Sequence, residues 1–232
     1  MGLEQIVVEL QDVFGDDRRI AESAWTSSFS HGKKELKSDA DVERVVRMLG
    51  GSKPAHGVPF ESVVFYFWFR LPITSDRQYV THRVQSINGM SGRYRTMPSD
   101  FYQLPDDVLA ILNKVALHDK LSDEYRRLCI AANDFYLDAV NTLREEEHKN
   151  HITNVEFKRL REIIRGVLPQ ANMTERTATI NLRSFANFQK QRNDGHAAAE
   201  MQWIAQKMLE AVEASNKIPV ALAVLKENGW IV

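Results

Sequence analysis

Thr81-His82-Arg83-Val84-Gln85-Ser86-Ile87-Asn88-Gly89-Met90-Ser91-Gly92-Arg93-Tyr94 is the stretch from which the rest of the chain is read. Few of its side chains suit an ordinary core. Arg83 and Arg93 offer planar guanidinium forks that match phosphate oxygens. Gly89 and Gly92 let backbone N–H groups come close to a ligand. His82, Ser86, Asn88 and Ser91 add short polar contacts. The chemistry reads as a loop that holds a phosphorylated small molecule, although the same composition also suits a solvated turn between a strand and a helix.

The surroundings set limits. The chain has 232 residues, 44% of them hydrophobic, enough for one domain with a substantial core. Its 30 basic and 31 acidic residues nearly cancel, so any anion site must be local and a nucleic-acid-binding field is absent. The lone cysteine, Cys129, excludes an intramolecular disulfide framework and fits a reducing cytoplasm. The start shows no basic region followed by an apolar core, and the greasiest run, residues 63–69, is far shorter than the roughly 20 residues of a membrane span. A cytoplasmic protein with no membrane partner is expected.

Along the chain, residues 6–10 read as a strand. Asp39 or Asp41 is expected to cap a helix through about residue 49, with Val42, Val45, Val46 and Leu49 on one face and Gly50-Gly51 ending it. Residues 53–60 form a loop punctuated by proline and glycine, and the aromatic run 61–71 is a strand stopped by Pro72. From Leu121 onward Tyr125, Leu128, Ala132, Phe135, Ala139 and Leu143 recur at helical spacing, which predicts one apolar stripe facing the core. Further helices are expected over 154–167, from Ser184 onward, and over 197–214 with Met201, Ile204, Ala205, Met208 and Val212 inward. Residues 177–180 look extended. The fold class is therefore α+β, a single domain over 1–232 with a small mixed or antiparallel sheet and long helices.

Individual polar residues are ambiguous. His56 in its loop, Glu61 at a strand start and a Glu162–Arg165 pair all suit solvent. Cys129, among apolar helical neighbours, reads as a core thiol rather than a nucleophile. The histidines show no metal-ligand spacing, so no metal site is assigned.

Their order along the chain carries more than any one of them. His82-Arg83-x-x-Ser86-x-Asn88-x-x-Ser91-x-Arg93-Tyr94 resembles the signature of the flavin-dependent thymidylate synthases. His56-Gly57-Val58-Pro59-Phe60-Glu61 resembles that family's His-x-Ser/Thr-Pro-Phe-Glu segment. Arg77-Gln78 precedes the signature at the family distance. Glu162, Arg165, Leu168 and Pro169, then Asn181-x-Arg183-Ser184 with Asn187-Phe188 and Arg192, then His196-Ala197 with Glu200, continue the likeness across residues 5–215.

The resemblance implies a homotetramer with active sites built from more than one subunit. It implies FAD, NADPH as reductant and 5,10-methylenetetrahydrofolate as carbon donor, converting dUMP to dTMP without an enzymic cysteine. Carried over by residue, Arg192, Ser91 and His56 are the catalytic group. Gln78, Gly89, Ser91, Gly92, Arg93, Arg165 and Arg192 hold the nucleotide. Val58, Glu61, Thr81, His82, Arg83, Asn181, Arg183 and Asn187 hold or flank FAD. The chain departs from the family pattern at Thr81, where the family carries arginine, and at Val58, Gly89 and Ala198. Losing one charge-assisted contact at Thr81 costs about 1.5–3 kcal/mol if nothing replaces it. C5 hydroxymethylation of dUMP, or action on dCMP, stays open as an alternative within the enzyme class. A single-stranded nucleic-acid module built on Arg83, Arg93, Arg95, Tyr94 and Tyr102 is the distant one.

Overall fold

The computed structural model describes residues 2–26, 38–82 and 84–231. Arg83, one of the expected FAD residues, lies outside them. In order, the elements are β1 (Val7–Phe14), α1 (Asp17–Trp25), α2 (Asp39–Gly51), β2 (Val64–Pro72), α3 (Ile73–Tyr79), β3 (Gln85–Gly89), α4 (Asp106–Lys114), α5 (His118–His148), α6 (Asn154–Ile164), β4 (Met173–Asn181), α7 (Leu182–Arg192), α8 (Ala199–Ser215) and α9 (Pro219–Glu227). The strands form one four-stranded sheet in the order β1-β2-β4-β3. Leu182 N–H donates to Val63 O and Ile73 N–H to Asn172 O, so β2 and β4 run antiparallel. The α+β class is as the sequence implied.

The chain divides into two compact units: residues 1–7, 70–78 and 89–176 in the first, and 8–69, 79–88 and 177–232 in the second. Most of the sheet belongs to the second unit. There β2 alternates, and Phe65, Phe67 and Phe69 are fully buried on one face. Phe185 of α7 meets Phe65 edge-on with centroids 5.1 Å apart and lies parallel to Phe67 at 6.4 Å. Tyr79 bridges Phe69 at 4.9 Å and Phe188 at 5.5 Å. The inward row of α8 is as expected, with Met201, Ile204, Ala205, Met208 and Val212 all fully buried.

Helix α2 also follows the sequence pattern, burying Val42, Val45, Val46 and Leu49. Its cap is a correction: Ser38, not Asp39 or Asp41, accepts the N-terminal N–H, while the Asp41 carboxylate returns a bond to Ser38 N–H. Helices α1, α3, α4 and α9 went unread in the sequence. Helix α1 starts from an Asp16 cap on Arg19 N–H, and the Asp17 carboxylate accepts from Val220 and Ala221 N–H at the start of α9.

In the first unit the expected apolar stripe of α5 is only partly buried: Tyr125, Ala132, Ala139 and Leu143 are half-buried, with Leu143 on the core, but the fully inward row is a neighbouring one. Leu121, Leu128 and Phe135 are 42%, 53% and 54% exposed, whereas Cys129, Asn133, Tyr136 and Val140 face inward. A polar residue sits in the core row because Asn133 and Asn172 exchange side-chain amide bonds of 3.1 and 2.7 Å. Tyr136 and Val140 pack on Phe157 of α6, with Met97, Ile164 and Leu168 around them. Glu162 pairs with Arg159, not with Arg165 as the spacing suggested.

Gly50 of α2 permits a close approach to α9: a Cβ there would lie 2.4 Å from Val224 Cγ1. Gly50→Ala is expected to lower stability by about 1–3 kcal/mol through overpacking, outweighing the roughly 1 kcal/mol gained in helix propensity. Urea unfolding measures this, and an unchanged or raised midpoint contradicts it.

Candidate active site

In the second unit, helix α7 places several of the expected residues. Asn181 is its N-cap, with Oδ1 accepting from Ser184 N–H at 2.8 Å. Its amide is thus engaged in the helix start. With Phe185 and Phe188 turned into the core, Arg183 and Asn187 are left on the open side, four residues apart. They line a cavity of about 640 Å³ together with Glu61, His82, Lys190 and Trp230. Glu61 arrives on the 3₁₀ turn Val58–Ser62, and its carboxylate accepts from Arg183 Nη1 at 2.8 Å. Gly57 is buried beneath this pair, where a Cβ would come within 2.9 Å of Arg183 Nε. Val58 and Thr81 are exposed, and His56 is exposed in the preceding loop.

His82 and Arg192 meet at the end of α7. Arg192 Nε donates to His82 Nε2 at 3.0 Å, which requires the neutral imidazole. The ring stands edge-on against Phe188 with centroids 4.7 Å apart. Burial, and secondarily the Arg192 charge, hold the His82 pKa below its ordinary 6.5. Glu61 and Arg183 cancel, both about half exposed, so their pairing adds little stability. Lys190 has no ion-pair partner among the described residues and is left as the cleft's unanswered cation.

The first unit carries the anion-binding candidates. Ser91 O accepts from Tyr94 and Arg95 N–H, both at 3.1 Å, closing a turn. Met90 N–H donates to Glu175 O and Met97 N–H to Tyr136 Oη, fastening the two ends of this segment. Arg93 is exposed. Gly92 is buried, and a Cβ there would be 3.0 Å from Arg165 Cδ and Nη1, so the Arg165 side chain lies along the turn. Gly89 is exposed at the end of β3, beside Arg176, whose guanidinium pairs with Asp76. Gln78 is half-buried on α3.

So Glu61, His82, Arg183 and Asn187 share one cavity, and Ser91, Gly92 and Arg165 share one turn. Sequence reasoning missed Lys190 and Trp230 in the cleft. Lys190 is three residues beyond Asn187, so helical periodicity places it on the face that Arg183 and Asn187 already marked, and that signal went unused. Trp230 reaches the cavity from beyond α9 with its ring 5.9 Å from Phe60, a tertiary contact without a local signal. Among the described residues no group of three or more His, Cys, Asp or Glu side chains could hold a metal ion. Cys129 is buried, and burial raises its thiol pKa while the Tyr125 hydroxyl bond partly opposes this.

The cleft brings together a cation without a carboxylate partner among the described residues, amide and carboxylate groups and an indole. The class the fold defines is an α+β domain with a four-stranded sheet and a polar cleft along α7. The family model described as "Thymidylate synthase complementing protein" matches residues 9–219. A flavin-dependent thymidylate synthase of Pseudothermotoga lettingae is 31% identical over 207 residues, covering 88% of this chain and 83% of that one. Another, of Thermus thermophilus, is 30% identical over 227 residues, covering 97% and 77%. The crystal structure of PolB from Streptomyces cacaoi, a UMP/dUMP methylase bound with 5-Br dUMP, shares the fold at TM-score 0.75 and 24% identity, covering 97% of both chains. This chain belongs to the thymidylate synthase complementing protein family, the flavin-dependent thymidylate synthases.

The lowered His82 pKa has a sign. The folded chain takes up this proton at lower pH than the unfolded one, so the associated stability is present above pH 6.5 and is lost as pH falls from there through the folded value. Histidine NMR should show His82 titrating below 6.5, and Arg192→Gln should move it part of the way back. Titration at or above 6.5 in the unaltered protein contradicts the assigned bond.

Proposed function

We propose that this chain methylates C5 of dUMP to give dTMP, with 5,10-methylenetetrahydrofolate as carbon donor, FAD as bound flavin and NADPH as its reductant. The observation that carries the reading is the gathering of Glu61, His82, Arg183 and Asn187, from three separate stretches of sequence, around one cavity. When bound there, reduced FAD supplies hydride chemistry.

Arg183, Asn187 and Lys190 hold the anionic and amide-bearing parts of FAD, with Glu61 and His56 flanking it. Asn181 contributes by starting α7 where it does, and Thr81 and Arg83 extend the same set. In the first unit Arg93 and Arg165 pair with the nucleotide phosphate. Ser91, Gly92, Gly89 and Gln78 bond the phosphate and sugar. Arg192 faces the pyrimidine and favours its N3-ionised, electron-rich form, because a guanidinium stays protonated at every working pH. The bond from Arg192 Nε to His82 fixes one edge of that fork and leaves the Nη groups for the base. Burial of Cys129, the chain's one cysteine, is consistent with a route that uses no thiol nucleophile. A homotetramer whose active sites draw on more than one subunit is part of the reading. It is supported by the exposed row Leu121, Leu128 and Phe135 on α5, which recurs every seven residues and presents apolar surface.

The test supplies FAD, NADPH and 5,10-methylenetetrahydrofolate with dUMP, dCMP or UMP, and identifies the product by mass spectrometry. dTMP from dUMP is expected. Arg192→Ala should lower its rate by about 10²–10³-fold without dissociating the oligomer. A near-normal rate removes Arg192 from the mechanism, and 5-hydroxymethyl-dUMP or a dCMP product replaces the proposed reaction.

A further inference from the structure

Arg161 lies on α6 one turn before Arg165, and only 4% of it is exposed. Its Nη2 donates to the carbonyl oxygen of Arg93, and the guanidinium carbon sits 5.1 Å from the centroid of the Phe157 ring. No carboxylate pairs with it among the described residues, and its Nε is buried without an acceptor. A buried cation answered by one carbonyl and an aromatic face is strongly disfavoured in isolation. Its other requirement is an anion. Glu162 is next to it in sequence but is engaged with Arg159, and Glu156 closes the cap of Thr153 at the start of the helix.

What Arg161 does reach is the turn that carries Ser91, Gly92 and Arg93. Arg165, one helical turn on, lies against Gly92 of that same turn. Two guanidinium groups, Arg161 on α6 and Arg165 at its C-cap, thus address one five-residue segment, Arg161 through the Arg93 backbone and Arg165 at Gly92. We propose that Arg161 is a positioning residue for the phosphate of the nucleotide. It clamps the Arg93 carbonyl so that the Arg93 side chain is presented from a fixed backbone, and it supplies a buried positive charge that a phosphomonoester dianion answers. This rests on the reading of the Ser91–Arg95 turn as the phosphate site.

Calorimetric titration of the FAD-loaded protein with dUMP and with deoxyuridine, which lacks the phosphate, tests it. Arg161→Gln keeps an amide donor for the Arg93 carbonyl and removes the charge, whereas Arg161→Lys keeps the charge. The glutamine variant should bind dUMP about tenfold or more weakly while its deoxyuridine affinity and FAD affinity stay within about twofold, and the lysine variant should retain most of the preference for dUMP. A glutamine variant with the unaltered preference, or one that loses both ligands by the same factor, overturns the proposal. Should the glutamine variant fail to fold, the lysine variant decides, and loss of its dUMP preference overturns the charge role. An unaltered protein that does not prefer dUMP to deoxyuridine defeats the phosphate reading itself, and Arg161 with it.

Discussion

The second unit depends on one packing arrangement: Phe185 and Phe188 of α7 pressed into the aromatic face formed by Phe65, Phe67, Phe69 and Tyr79. Large aromatic side chains contribute most of the buried area in such a core, and their ring geometry adds to it. Because a helix that buries one stripe must expose the opposite one, this contact fixes the rotation of α7. Arg183, Asn187 and Lys190 face outward as a consequence, and Arg192 reaches His82 at the helix end. The Asn181 cap then sets where the helix begins, one residue before the buried Leu182. The core thus positions the chemistry by exclusion.

Charge is arranged with similar economy. A chain with net charge −1 has no general field for anions, so each anion site is made locally. In the cleft, Glu61 neutralises Arg183, while His82 is held neutral beside Arg192, so Lys190 and Arg192 are cations without a carboxylate partner among the described residues. In the first unit the same logic is carried by arginines. Arg176 is taken up by Asp76 and Arg70 by Asp100, while Arg93 and Arg165 remain beside the Ser91 turn and Arg161 lies buried below it.

Much of this was legible in the sequence, and the failures have physical causes. Helices α2 and α8 and strand β2 declared themselves because their apolar spacing coincided with burial. Helix α5 misled because two neighbouring rows differ by one residue. The row with more grease, Leu121, Leu128 and Phe135, is exposed, and the row containing Asn133 is buried because Asn172 satisfies its amide. Burial of a polar group depends on a partner 39 residues away, which no local pattern encodes. The signature residues were readable as types and spacings, and Glu61, His82, Arg183 and Asn187 do share a cavity. Trp230 and Arg161 were not readable, since each matters through a distant contact: Phe60 for one, the Arg93 carbonyl for the other.

In the proposed function, the outward face of α7 and the Val58–Ser62 turn form the flavin surface. Hydrogen–deuterium exchange of the protein with and without saturating FAD measures this most directly, because a ligand that binds only the folded site slows local opening there. Slower exchange over residues 181–192 and 57–62 is the predicted result. FAD that binds while those amides exchange at an unchanged rate places the flavin elsewhere on the protein.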